Sequence, residues 1–124
     1  MAKILLIIGG ISNVLLAIFH LLFWKNPKFN WKEQLPKMNN FNRALIQVAN
    51  IMFIYVLLYF AGFSFLLSAQ NPLDTLGKIV ILFIGGFYAV RTILQFPFFG
   101  ISKISVVIFV ICLLITGCYF AALI

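Results

Sequence analysis

Acid is what this chain lacks most. Its 124 residues include two Asp or Glu, one His and two Cys, and charged residues of both signs make up 9% of the total, against about 25% in an ordinary soluble domain. With 65% hydrophobic residues and a mean hydropathy of +1.17, the composition excludes a soluble globular domain, a disordered tail and a nucleic-acid-binding protein. A single histidine and no carboxylate within the apolar runs leave no intrachain metal site to expect. No HExxH, CxxC, P-loop or GxSxG motif occurs, and no cofactor is expected. Cys112 and Cys118 fall six apart in one apolar run. On a helix they are separated by about 9 Å of rise and point in different directions, so they read as small apolar fillers and not as a disulfide.

Four apolar runs remain, each close to the roughly 20 residues that cross a bilayer as a helix. They cover about 4–24, 43–67, 75–96 and 101–124. The fold class expected is an all-α integral membrane protein, with residues 1–124 forming a single four-transmembrane-helix bundle. The breaks between runs have local causes. Asn26-Pro27, Leu35-Pro36 and Asn71-Pro72 interrupt the chain, because proline lacks a donor and keeps its predecessor out of the helical region. Asp74 or Thr75 is placed to cap the third span, and Phe96-Pro97-Phe98-Phe99-Gly100 reads as a tight hairpin. The first run follows Lys3, but it is long for a signal peptide and no small-x-small cleavage site follows it, so it reads as a retained span.

The net charge of +7 has a direction. Lys25, Lys28, Lys32, Lys37 and Arg43 lie in or beside the 25–42 connection, and Arg91 and Lys103 border the last hairpin; Lys3 and Lys78 are the only basic residues on the other side. The positive-inside bias puts the long connection in the cytoplasm and both termini away from it, in a cytoplasmic (inner) membrane. Trp24 and Trp31 fall on that same side, where an aromatic belt belongs. The connection mixes lysines with Phe29, Trp31, Leu35 and Met38 and is expected to lie along the interface with its lysines snorkelling.

Polar residues inside spans are costly and face protein or water. In the first span Gly9, Asn13, Ala17 and His20 form a stripe. In the second, Arg43, Gln47 and Asn50 share a face, and Tyr55 and Tyr59 form a deeper i,i+4 pair. The third closes with Tyr88, Arg91 and Gln95, and the fourth opens with Ser102, Lys103 and Ser105. With the topology above, His20, Arg43, Gln47, Asn50, Tyr88, Arg91 and Gln95 converge on the cytoplasmic half, while the outer half reads as plain Ile, Leu, Phe and Val. Arg43 and Arg91 stay protonated, and each needs an acceptor that no acidic side chain in the spans supplies. These seven residues are the expected ligand site, with membrane lipids and an anionic small molecule as candidate partners. The opposing reading is that the two arginines snorkel to phosphates and the amides hold helices together.

Gly9-Gly10 and Gly85-Gly86, together with Asn13, read as helix-packing positions; a weak repeat of two related helical hairpins is the alternative. Gly117 and Ala121 offer another small-residue face, for packing or a homo-oligomer. The function expected is a small polytopic membrane protein that binds an anionic or polar small molecule, or a lipid headgroup, in a cytoplasmic-leaflet pocket. Three alternatives stand beside it: an oligomeric anion channel or transporter, a membrane enzyme on a lipid or isoprenoid substrate with His20 as its candidate catalytic residue, and an accessory subunit of a larger membrane complex.

Overall fold

The structure, a computed structural model, describes residues 1–124. The helices are α1 (Ala2–Leu21), α2 (Trp31–Gln34), α3 (Asn40–Ser68), α4 (Thr75–Ile93), α5 (Gln95–Phe99) and α6 (Lys103–Ala121). There is no strand. Four of these helices, α1 with its 3-10 extension to Trp24, α3, α4 and α6, are long and apolar enough to cross a membrane. The chain is therefore an integral membrane protein built as a four-helix bundle.

Side-chain caps start three of the four long helices. Asn39 accepts from the Asn42 amide at 2.7 Å, Asp74 from Gly77 at 2.6 Å and Ser102 from Ser105 at 3.1 Å. Each satisfies one of the orphan donors of a first turn. The Asn39 cap starts α3 three residues earlier than expected, which puts Arg43 in its first turn. Between α4 and α6 the chain turns through the short α5 and leaves it at Gly100, whose φ of 65° suits a residue without a Cβ. The expected third span ran to Phe96; the break after Ile93 instead makes Gln95 the first residue of α5.

The long helices pack as two hairpins. α1 lies along α3 and α4 along α6, and the hairpins meet mainly where α1 touches α6. On α3 the buried stripe is Asn50, Ile54, Leu57, Ala61 and Ser64, a run of four- and three-residue steps that keeps one side of a helix turned inward. Leu6, Ala17, Ile81, Ile84, Cys112 and Ile115 pack into the same core. Large apolar side chains cover the outside, as expected when the solvent is hydrocarbon.

The 25–42 connection folds back beneath one end of the bundle. Leu35 is buried, Phe29 and Trp31 are half-buried, and Lys25, Lys28, Lys32 and Lys37 are exposed. Phe23 stacks on Phe29 at 4.1 Å, and Trp24 meets Trp31 edge-on at 5.1 Å. Rings pack inward while charges point out, the pattern of an interfacial segment. This end, which also carries α5, is called the basic end below.

Candidate functional site

The inward-facing polar side chains that bond between helices sort into two levels. The deeper level takes one residue from each long helix: Asn13 of α1, Ser64 of α3, Tyr88 of α4 and Tyr119 of α6. All four are 0–1% exposed. Asn13 Nδ2 donates to the Gly9 carbonyl at 2.8 Å and to the Tyr119 hydroxyl at 2.7 Å, and its Oδ1 accepts from the Tyr88 hydroxyl at 2.6 Å. Ser64 donates its one proton to the Phe60 carbonyl at 2.6 Å. Its contact with Tyr119, also 2.6 Å, therefore has the tyrosine as donor. The direction of every bond follows: Tyr88 to Asn13, Asn13 to Tyr119, Tyr119 to Ser64, Ser64 to backbone. No buried side-chain nitrogen or oxygen in the molecule is left without a partner, the condition under which polar atoms are tolerated in hydrocarbon.

Backbone approach makes room for this level. A Cβ built on Gly9 would stand 2.7 Å from Cζ of Tyr119, so only glycine lets α1 lie against that ring. Gly85 lies against Tyr119 and Phe120 from the α4 side, and the rings of Tyr88 and Tyr119 stack at 6.4 Å and 8°. Gly86 differs from the expectation: nothing lies within 4 Å of its Cβ position, because it falls one residue round the helix from the α4–α6 contact.

The second level is at the basic end and is divided. His20 Nδ1 pairs with Asn50 Oδ1 at 2.8 Å while Asn50 Nδ2 donates to the His20 carbonyl at 3.0 Å. That second bond orients the amide, so Nδ1 carries the proton toward Asn50 and Nε2 keeps its lone pair. The imidazole is flanked by Phe23 at 4.4 Å and Phe53 at 4.6 Å, and Phe53 stacks on Phe87 of α4 at 5.8 Å. One turn beyond Phe87, Arg91 Nη1 donates to Gln95 Oε1, and the guanidinium lies 5.0 Å from the centre of the Phe99 ring. Gln95, 1% exposed, donates onward to Ser105 Oγ at 2.9 Å. The α4–α5 turn and the start of α6 thus hold Arg91 through a buried carboxamide.

The seven expected ligand residues do not form one cluster. His20 joins Asn50, and Arg91 joins Gln95. Arg43 donates to Asn40 at 2.7 Å, because the early start of α3 places an acceptor one turn before it. Gln47 is half-buried on α3 and joins none of these groups. Tyr88 turns to Asn13, since its hydroxyl extends from α4 into the bundle and not toward Arg91. The plain outer half is also corrected. Ser64 and Tyr119 lie toward the ends of α3 and α6 remote from the basic end, yet both are fully buried polar partners. A sequence signal existed for both: Ser64 is two heptads from Asn50, and Ser105, Cys112 and Tyr119 are spaced by seven, as residues sharing an inward stripe must be.

Cavities of about 370 and 260 Å³ lie away from these clusters. One is an apolar groove on the outer face of α3, and the other is bounded by residues 1–3 and 68–71. No protein-family model, curated protein or solved structure matches the chain.

Proposed function

We propose that this protein holds an anionic amphiphile, a phospholipid headgroup or a small anion, at its basic end, with Arg91 as the charged contact. The observation that carries the reading is the guanidinium's unfilled capacity. Arg91 has five N–H donors, and within the chain it meets one neutral acceptor, Gln95, and the face of Phe99. Both acids of the chain serve local turns elsewhere, Glu33 accepting from Asn30 and Asp74 capping α4. A phosphate or carboxylate from outside is the counter-charge that this half-buried cation lacks. Lysines of the connection add longer-range attraction for an anionic leaflet, and the positive-inside bias puts this end on the cytoplasmic side.

A path through a single bundle is disfavoured. The axis is filled by Leu6, Leu57, Ile81 and Ile84 and by the Asn13–Tyr119 level, all 0–1% exposed. The directional bonds at that level also leave no free proton donor for an anion. Native mass spectrometry tests the reading: phosphatidylglycerol retained over phosphatidylcholine by the natural chain, with several-fold less retention in Arg91→Gln at unchanged helix content, is the expected result. Equal retention by both chains rejects it.

A further inference from the structure

On α3, the side turned away from the bundle carries Tyr55, Leu58, Tyr59, Gly62, Phe63 and Leu66, which line the apolar groove of about 370 Å³. These positions follow the three- and four-residue steps of one helix face. Tyr55 and Tyr59 are about half exposed, and Tyr55 lies next to the midpoint of a helix that runs from Asn40 to Ser68. Tyrosines facing lipid belong at the interface, where the hydroxyl meets water. Here two of them face outward near mid-membrane, and their hydroxyls bond to each other at 3.0 Å. Two hydroxyls carry two protons, and one bond uses one. The other has no acceptor in the chain, and hydrocarbon offers none.

We propose that this face is the interface of a homodimer, with a second copy of the chain as its occupant. Two copies inserted in the same direction and related by a two-fold axis along the membrane normal present the same tyrosine pair at the same depth. The proton left over on one copy then meets the oxygen left open on the other. Four hydroxyls close a ring, Tyr55 to Tyr59 to the other copy's pair and back, in which each donates once and accepts once. A lipid chain filling the groove supplies no acceptor. Gly62, exposed and with nothing within 4 Å of its Cβ position, opens the surface one turn from Tyr59 and lets a second helix approach closely. This inference is independent of the anion site at Arg91.

Single-molecule photobleaching of the fluorescently tagged full chain in phosphatidylcholine vesicles, across a range of protein-to-lipid ratios, reads the monomer–dimer midpoint. The natural chain is expected to show two-step bleaching that rises with density. Tyr59→Phe keeps the exposed ring and removes the hydroxyl. It is expected to move the midpoint about tenfold toward higher density, the loss of two interhelical hydrogen bonds in a membrane. Gly62→Leu, which fills the groove, is expected to move it further, and Gly117→Leu on α6 to leave it unmoved. The proposal is overturned by one-step bleaching at every density. A midpoint unmoved by Tyr59→Phe, or one moved by Gly117→Leu alone, also overturns it, as does a monomer that carries a lipid in the groove.

Discussion

The two polar levels of this bundle share asparagine and serine and behave as opposites. The deep level is closed: four side chains from four helices donate in a fixed direction, two hydrogen bonds from Asn13 and one from each of the others, and no donor is left to offer a ligand. The basic end is open. Its amides and imidazole pair locally, within one helix turn or between two neighbouring helices, and its guanidinium keeps donors in reserve. A polar group in a membrane protein can therefore serve cohesion or recognition, and counting its filled valences separates the two. Asn13 uses both amide protons and its carbonyl inside the fold. Arg91 uses little of what it has.

Substitutions should separate the levels in order of size. Asn13→Leu removes the hub and strands the Tyr88 hydroxyl against hydrocarbon, so a loss of about 2–3 kcal/mol in unfolding free energy is expected, measured by reversible unfolding in bicelles. Gly9→Val forces a Cβ onto the Tyr119 ring and should cost about 1–3 kcal/mol by overpacking, with a changed Tyr119 environment in near-ultraviolet circular dichroism. Ser64→Ala and Tyr119→Phe act on one bond. In a double-mutant cycle their effects should fall short of additivity by about 0.5–1 kcal/mol; full additivity would mean that the two side chains are not coupled. His20→Ala breaks a half-buried pair and should cost less, about 0.5–1.5 kcal/mol in the same unfolding assay. Arg91→Gln retains an amide donor one turn from the Gln95 carbonyl and should change stability least, by under about 0.5 kcal/mol, while showing the largest change in anionic-lipid retention.

Much of the architecture is legible in the residue order. Four apolar runs, three proline-marked breaks and the Asp74 cap locate the spans, because a helix in hydrocarbon must satisfy its own backbone and its ends must leave that environment. The polarity of the basic end is legible too, from lysine placement. Which polar groups meet is much less so. Tyr88, Arg91 and Gln95 share a helical spacing in the sequence, but a tyrosine hydroxyl stands far out from its backbone in a direction set by its rotamer, and the neighbour that it finds depends on how α4 lies against α1. Ser64 and Tyr119 look like isolated small and aromatic residues in plain apolar runs. Their importance lies in the heptad register with Asn50 and with Ser105, and in Gly9 letting the Tyr119 ring approach. The pairing of α1 with α3 and of α4 with α6 agrees with two hairpins. Gly9 and Gly85 both lie against Tyr119, whereas nothing lies within 4 Å of the Cβ position of Gly86.

A native mass spectrum taken with phosphatidylglycerol and ramped in collision energy reads lipid retention and unfolding on the same ions. Arg91→Gln is predicted to lose the lipid adduct and to unfold at the energy of the natural chain. Asn13→Leu is predicted to keep the adduct while folded and to unfold at lower energy. The division between a closed level and an open one is contradicted if Asn13→Leu sheds the lipid as readily as Arg91→Gln, or if Arg91→Gln unfolds as early as Asn13→Leu.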